Sequence, residues 1–224
     1  MGVSVPILRS YQQKYFLTGD EEKKNILQQL GISLRDIAKN KKVFYFLLAF
    51  FFYIDGVYTI IDMSTAYGSA LGLGSTDMLL ALLVTQFVAF PFAILFGKLS
   101  QKGMSEKLIM IAIAAYTGIA IFAYFMSASW QFWVLAIFVG MFQGGIQALS
   151  RSYFAKIIPA ERSGEFFGFY DICGKGASVI GTTLMGLVSQ MTGSVNNGVG
   201  VIAVFFVIGL ILFVVSTRQE AANN

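Results

Sequence analysis

Long apolar stretches, separated by short polar connections, make up most of this 224-residue chain. The last of them, VGVIAVFFVIGLILFVV, is the most uniformly apolar, and the one before it is the most polar. Six stretches contain the roughly 20 mostly apolar residues that a helix needs to cross a bilayer. The pattern predicts an all-α membrane protein with six transmembrane helices, at residues 43–67, 77–97, 107–127, 130–150, 165–190 and 196–217.

The basic residues alternate between the connections. Of the 16 Lys and Arg, eight precede the first span, three lie around the second-to-third connection, three lie between the fourth and fifth spans, one follows the sixth, and Lys175 lies within the fifth span. The connections at 68–76, 128–129 and 191–195 contain none. The positive-inside rule therefore predicts that both termini are cytoplasmic, and an even number of spans requires that they share a side. The net charge of +4 then reflects orientation and does not indicate a nucleic-acid partner.

The polar ends of the chain complete the predicted organisation. Residues 1–42 form a cytoplasmic segment with short helices, residues 43–217 the six-helix transmembrane domain, and residues 218–224 a cytoplasmic tail. In the first segment, EEKKNILQQL can form a helix that Asp20 caps and Gly31 ends. A second short helix can start where Ser33 and Asp36 form a capping pair.

Composition agrees with a membrane protein and excludes several enzyme classes. The chain is 56% hydrophobic and only 12% charged, whereas soluble domains contain about 25% charged residues. Cys173 is the single cysteine and there is no histidine. A disulfide framework, a Cys/His metal site and a Ser-His-Asp triad are therefore impossible within this sequence. We expect neither a metal ion nor a cofactor.

Four charged residues interrupt the predicted spans: Asp55, Asp62, Asp171 and Lys175. Insertion scales give each a cost of about 2.5–3.5 kcal/mol at a helix centre, so such residues face a bundle interior or an aqueous cavity and indicate function. Helical spacing aligns the polar residues into stripes on the first, fourth and fifth helices, and Gln86 marks the second. The predicted solute- and proton-binding residues are Asp55, Tyr58, Thr59 and Asp62 on the first helix, Gln86 on the second, Gln143 and Gln147 on the fourth, and Asp171 and Lys175 on the fifth.

Structural roles compete with this functional interpretation. Asp171 and Lys175, four residues apart, can neutralise each other as an internal pair. Asp62 is near the end of its helix and can be solvated. The glutamines can serve as interhelical hydrogen bonds, and Tyr58 can be a packing residue. Asp55 is deeper and has no basic residue within a turn, so it is the strongest candidate for a coupling group.

Glycines predict where the helices pack closely and where they bend. Small residues four apart allow two backbones to approach, and breaks in helices near polar groups are typical of transporters. The predicted close contacts are Gly140/Gly144, Gly164/Gly168 and Ala177/Gly181, and the predicted bends are at Gly56, Pro91, Gly174 and Gly176.

Three strings together resemble the major facilitator superfamily: FFYIDGVYTII, LLVTQFVAFPFAILFGKLS and GGIQALSRSYFAKIIPAERSGEFFGFYDICGKGASVIG. More narrowly, they are similar to the bacterial relatives of the fungal vacuolar amino-acid effluxer linked to autophagy. The resemblance covers residues 43–217.

The resemblance implies an architecture and a location. Members of the superfamily usually have twelve spans in two six-helix halves, with the solute at the interface. This sequence resembles the C-terminal half, and residues 1–42 resemble the linker between the halves. The implied partners are the lipid bilayer, a small solute, and a missing N-terminal half or a second copy of the chain. The implied location is the inner membrane of a bacterial cell, as a multi-pass protein.

The predicted function is that of a secondary active transporter half, moving a small solute that the resemblance implies to be an amino acid. A carboxylate whose protonated form is favoured by desolvation could carry a coupling proton, with Asp55 as first choice and Asp171 as second. One alternative is a truncated or accessory six-helix subunit without transport activity of its own. An intramembrane aspartyl protease is disfavoured: Tyr170 and Asp171 form its YD pair, but the GxGD element is absent from the sequence. We therefore predict that the protein is not an enzyme.

Overall fold

The computed structural model of the protein describes residues 26–221, and this part of the chain contains helices and no β-strand. A π-helical turn at Ser100–Met104 and a short 3-10 turn at Ala160–Arg162 join two of the helix pairs. The predicted all-helical fold is confirmed. Five of the six predicted spans lie within one helix each, and the third, 107–127, extends three residues beyond the end of its helix at Tyr124. The helices are α1 (Ile26–Lys39), α2 (Lys41–Ala70), α3 (Ser75–Leu99), α4 (Ser105–Tyr124), α5 (Ser129–Ile157), α6 (Ser163–Thr192) and α7 (Val195–Ala221).

Five continuous helical stretches in residues 26–221 are long and apolar enough to cross a membrane. One of them, Ser75–Tyr124, has 50 residues and contains both α3 and α4. The π-helical turn lies between the two helices, and Gly103 in that turn has φ 79°. This left-handed conformation suits glycine, which has no β-carbon to clash with the backbone.

Contacts with neighbouring helices show that the chain reverses at this turn. α3 runs in the same direction as α5, because Thr85 donates to the carbonyl of Ala136 and Phe96, further along α3, packs on Gly145, further along α5. α4 runs against α5, because Glu106 at the start of α4 accepts a hydrogen bond from Tyr153 near the end of α5. α3 and α4 are therefore antiparallel.

The remaining helices continue the alternation. α7 runs against α2: Ser216 donates to the carbonyl of Lys42 over 2.8 Å, and Tyr67 donates to Asn196 over 3.0 Å. α6 runs in the same direction as α2, since Gly174 packs on Phe50 and Gly181 contacts Asp55. α2, α4 and α6 thus begin at the same end of the bundle, where α3, α5 and α7 finish.

We call this end the basic end, and the other the opposite end. The connections at the opposite end, 71–74, 125–128 and 193–194, contain no Lys or Arg. Arg151 and Lys156, expected in the connection between the fourth and fifth spans, lie on the last turns of α5 because that helix continues to Ile157. The basic end carries Lys41, Lys42, Lys98, Lys102, Lys107, Lys156, Arg162 and Arg218.

The first described helix differs from its prediction. α1 passes through Gly31 and Ser33 without a break, so the expected helix end and second start are wrong, and Asp20 lies outside the described residues. Gly31 has a negative φ, unlike the glycines that end helices. Asp36 accepts a hydrogen bond from Arg162 over 2.5 Å, and this contact holds the pKa of Asp36 below its ordinary value.

The predicted bends are absent. α2 is continuous through Gly56, α3 through Pro91, and α6 through Gly174 and Gly176. Gly56 instead makes room for the ring of Phe206, which would lie 2.7 Å from an added β-carbon. The helices of this bundle are therefore uninterrupted.

Close contacts form at two of the three predicted glycine pairs. A β-carbon at Gly140 would lie 2.6 Å from the carbonyl oxygen of Thr85, and one at Gly144 would lie 3.4 Å from Ala93. Gly164 and Gly168 have no neighbour within 4 Å among the described residues, so the contact predicted there is wrong. The third pair belongs to the candidate site.

Aromatic side chains fix the basic half of the bundle. Phe46 and Phe50 of α2 are almost fully buried against α5, α6 and α7. The rings of Phe50 and Tyr170 stack with their centroids 4.0 Å apart, and Tyr170 also stacks on Phe154 at 5.0 Å. This cluster sets the position of α6 on α2, beside the polar stripes of both helices.

Candidate functional site

Asp55 is fully buried in the contact between α2 and α6. The backbone N–H of Gly181 donates to its Oδ1 over 3.0 Å. Its Oδ2 has no hydrogen-bond partner among the described residues. A buried polar atom without a partner costs free energy and calls for an explanation in terms of function or an additional ligand.

Gly181 permits this contact because it lacks a side chain. A β-carbon there would collide with the hydroxyl oxygen of Thr59 and would lie 2.6 Å from Oδ1 of Asp55. Ala177, one turn earlier on α6, is also fully buried. The predicted close approach at Ala177 and Gly181 is confirmed, and it lets a backbone donor reach the carboxylate. The Thr59 hydroxyl is buried and, within the described part of the chain, has no hydrogen-bond partner.

A pocket of about 300 Å³ opens between α2, α5 and α6 in the basic half of the bundle. We call it the basic-side pocket. Its polar lining includes four of the predicted residues together with Arg151. Phe50, Ile54 and Tyr170 form much of its apolar wall. The four predicted residues that it brings together are Tyr58, Gln147, Asp171 and Lys175.

Asp171 pairs with Arg151 across this pocket. An Arg151 guanidinium nitrogen lies 3.3 Å from Oδ1 of Asp171, and the two side chains are 59% and 47% exposed. The guanidinium also lies over the ring of Phe167, 5.1 Å from its centroid. Of the two alternatives left open for Asp171, the internal pair with Lys175 is not the one that forms, because Arg151 of α5 pairs with Asp171 instead. Lys175 has no ion-pair partner among the residues described.

A second, smaller pocket of about 80 Å³ lies between α2, α3, α5 and α7, and we call it the opposite-side pocket. Thr59, Gln86 and Gln143 line it together with mainly apolar side chains. The side-chain oxygen of Gln143 is buried and finds no partner within the described part of the chain. The predicted residues thus divide between two pockets. Asp55 lines neither pocket, and Asp62 is exposed and also lines neither.

Sequence reasoning missed Arg151 and the donor at Gly181. Arg151 was counted as a charge of the connection, although it follows Gln143 and Gln147 at the same helical spacing of four residues. Continuing that stripe by one turn would have found it. Gly181 was recognised as a packing residue, but no sequence signal identifies its N–H as the partner of Asp55.

The charges of the basic-side pocket determine what it can bind. Arg151 and Lys175 provide two cations, and Asp171 provides one anion. An arginine or lysine can hold a carboxylate, and an aspartate can hold an ammonium group. The described residues contain no group of three or more His, Cys, Asp or Glu side chains that could hold a metal ion. The arrangement suits a small zwitterionic solute.

Residues 3–224 match the family described as "Vacuole effluxer Atg22 like". The MFS-type transporter YxiO of Bacillus subtilis, described as uncharacterized, is 44% identical over 221 residues, which cover 98% of this chain and 52% of that protein. Autophagy-related protein 22 of Saccharomyces cerevisiae is 27% identical over 193 residues, 77% of this chain and 36% of the yeast protein. Autophagy-related protein 22-2 of Aspergillus niger is 28% identical over 188 residues, 76% and 31% of the two chains.

Together, the apolar helices and these relatives define a multi-pass membrane protein of the MFS transporter type. Within that class, the chain belongs to the vacuole effluxer Atg22-like family, which confirms the resemblance found in the sequence. The chain spans about half the length of its Bacillus subtilis relative and about a third of the fungal ones.

Proposed function

We propose that the chain is the C-terminal half of a proton-coupled secondary transporter and that its solute is an amino acid. The observation that carries the proposal is the buried carboxylate of Asp55, with one oxygen bound by α6 and the other unpartnered. A group that alternately gains and loses a proton needs an oxygen atom that is not already engaged. The family supports the class of activity, and the charges of the basic-side pocket support the class of solute.

We infer six membrane spans, with the basic end in the cytoplasm. The reversal of the chain at Gly103 gives α3 and α4 one span each. The positive-inside rule assigns the Lys- and Arg-rich end to the cytoplasm, and on that assignment both ends of the transmembrane domain are cytoplasmic. Residues 1–42 and 218–224 would then lie on the cytoplasmic side of the inner membrane.

The solute would bind in the basic-side pocket. Arg151 or Lys175 would bind its carboxylate, Asp171 its ammonium group, and Tyr58 and Gln147 its remaining polar atoms. Arg151 and Asp171 are exposed in this chain, as expected for a surface that a second six-helix unit covers. We propose that this unit is an N-terminal half or a second copy, because alternating access requires two units around the solute.

Proteoliposomes test the function directly. The protein, expressed together with any coding sequence that precedes residue 1 in frame, is reconstituted with a proton gradient and supplied with labelled amino acids. Asp55→Asn should abolish gradient-driven accumulation, because the amide cannot take up the proton. Asp77→Asn is the matched control, since Asp77 is exposed in the first turn of α3 and lines neither pocket.

The results separate the alternatives. Unchanged accumulation with Asp55→Asn would refute the role of Asp55 while leaving transport intact. Absence of transport by the unaltered protein with every amino acid tested would favour the accessory-subunit alternative. Native mass spectrometry in mild detergent then reports whether a second copy or another chain completes the assembly.

A further inference from the structure

Along α2, the residues that line the two pockets meet next to Asp55. Phe50, Ile54 and Tyr58 line the basic-side pocket, whereas the residues that line the opposite-side pocket begin at Thr59 and continue to Tyr67. At the far end of the latter, Tyr67 donates to the carbonyl of Ala123 at the end of α4. The opposite-side pocket therefore extends from the neighbourhood of Asp55 towards the opposite end of the bundle.

The inner part of the opposite-side pocket contains two polar atoms without partners among the described residues, the Thr59 hydroxyl and the Gln143 side-chain oxygen. The hydrogen bond between Tyr53 and Ser150, 2.6 Å long, fixes the register of α2 against α5. Thr59 is six residues beyond Tyr53, and Gln143 is seven residues before Ser150 on the antiparallel helix. At a rise of about 1.5 Å per residue, both lie roughly 9–10 Å from that bond, at the same level.

The volume of this pocket admits water, and the two oxygen atoms without partners would bind it in a lining that is otherwise mainly apolar. A water molecule needs about 10–15 Å³ of cavity volume and two or more polar partners. The pocket of about 80 Å³ has room for several water molecules, and Thr59 and Gln143 provide the unpartnered acceptors. Bound water would remove the cost of leaving those two oxygen atoms unsatisfied.

Thr59 connects this pocket with Asp55. Thr59 is one helical turn beyond Asp55, and a β-carbon on Gly181 would strike oxygen atoms of both side chains. α7 contributes no charge to this contact, since it has no charged residue before Arg218, and its Phe206 packs on Gly56. The other ionisable groups of the site, Arg151, Tyr58, Asp171 and Lys175, line the basic-side pocket.

We propose that the opposite-side pocket is a hydrated proton path that leads from the opposite end of the bundle through Gln143 and Thr59 to Asp55. A protonated water in the pocket transfers a proton to the Thr59 hydroxyl, which at the same time gives up its own proton to Oδ2 of Asp55. The O–H bond of the carboxylic acid is formed, the Thr59 hydroxyl is restored, and neutral water is left in the pocket. The reverse step breaks that bond and returns the proton to water. This proposal rests on the proposed function, which makes Asp55 the proton-carrying group.

Infrared spectroscopy of the whole protein in lipid nanodiscs tests the path without a transport assay. Asp55→Asn identifies the carboxylic-acid C=O band of Asp55 as the band that this change removes. The samples are then mixed rapidly with D₂O, and the isotope shift of the band is followed in time. The unaltered protein should exchange in a fast phase, and the Thr59→Val/Gln143→Leu variant should lose that phase.

Two further variants control for indirect effects. Thr117→Val removes a hydroxyl that only bonds to Ile113 of its own helix over 2.9 Å, outside both pockets, and should keep the fast phase. The single variant Thr59→Ser, in which Gln143 is unchanged, retains a hydroxyl in the path and should also retain the fast phase. If the double variant does not fold, the single variant Gln143→Leu is measured in its place. The fast exchange phase of the Asp55 band should then be slower than in the unaltered protein.

The outcomes distinguish this inference from the function on which it rests. An Asp55 band that exchanges equally fast in the unaltered protein and the double variant would overturn the path but leave Asp55 as a proton carrier. If no band at any pH disappears with Asp55→Asn, Asp55 never binds a proton, and the proposed function fails together with the path.

Discussion

Gly181→Ala is the most informative perturbation of the candidate site, because a single methyl group reaches both sides of the α2–α6 contact. The added β-carbon would collide with the Thr59 hydroxyl and would lie 2.6 Å from Oδ1 of Asp55. Separation of the helices would relieve the collision, but it would also lengthen the 3.0 Å hydrogen bond from the Gly181 N–H to Asp55. We expect destabilisation of the fold and loss of Asp55 function together.

The expected magnitude follows from these two effects. Overpacking of a well-packed interior costs about 1–3 kcal/mol, and the loss of a hydrogen bond to a charged group costs about 1.5–3 kcal/mol. Alanine gains about 1 kcal/mol over glycine in helix propensity. The net loss in the free energy of unfolding should therefore be about 2–4 kcal/mol.

Equilibrium unfolding in mixed detergent micelles measures this difference, with Gly186→Ala as the matched control. Gly186 lies on the same helix and has no described neighbour within 4 Å, so alanine there should be neutral or slightly stabilising. A double variant, Gly181→Ala/Thr59→Ala, removes the hydroxyl that the methyl group strikes and should recover part of the stability. If Gly181→Ala is tolerated as well as Gly186→Ala, the close contact at Asp55 does not exist as described.

Two further predictions concern contacts outside the pockets. The Arg162 guanidinium lowers the pKa of Asp36. Their contact should therefore stabilise α1 fully at pH values above about 3.9, the ordinary pKa of an aspartate, and should weaken as the pH falls through the lower pKa that Asp36 has in the folded protein. Hydrogen exchange of residues 26–39, corrected for intrinsic rates, should become faster at low pH in the unaltered protein. In Arg162→Gln it should already be faster at neutral pH. Equal protection of these residues in the two proteins at pH 7 would contradict the prediction. Tyr53→Phe removes the 2.6 Å hydrogen bond to Ser150, but Ser150 still donates to the carbonyl of Ile146, so the unfolding free energy should fall by only about 1 kcal/mol. A loss above about 3 kcal/mol, the cost of an unsatisfied buried group, would show that Ser150 depends on Tyr53.

The helices were predictable because each is a long apolar segment bounded by polar residues, and lipid-spanning length is a strong sequence signal. The failures are local. Gly31 did not end a helix, and Gly56 did not bend one, because Gly56 serves close packing against Phe206 instead. Which of these roles a glycine takes depends on the side chain opposite it, and that information is in another segment of the chain.

The sequence predicted which helix faces carry the polar residues of the candidate site, but not which residues these side chains contact. Several of the polar residues in the predicted stripes line pockets, such as Gln143 and Lys175. A stripe cannot reveal that two faces of one helix line different pockets, because that depends on how the neighbouring helices are arranged. For the same reason the sequence does not reveal the partner of Asp171: Lys175 is nearer in sequence, but Arg151 is the residue that α5 brings into contact.

α6 links the two parts of the site mechanically. It carries Asp171 in the basic-side pocket and, ten residues later, the Gly181 N–H that binds Asp55. Since α6 is an unbroken helix, these two points are about 15 Å apart on a rigid element, and a displacement of α6 by a solute at Asp171 would change the hydrogen bond at Asp55.

Gly181→Ala should exert the reverse effect by pushing α6 away from α2. Cys173, the single cysteine of the chain and half-buried on α6, is a built-in reporter: its maleimide labelling should accelerate in Gly181→Ala but not in Gly186→Ala. Equal labelling rates would mean that the pocket and the carboxylate are not coupled through this helix.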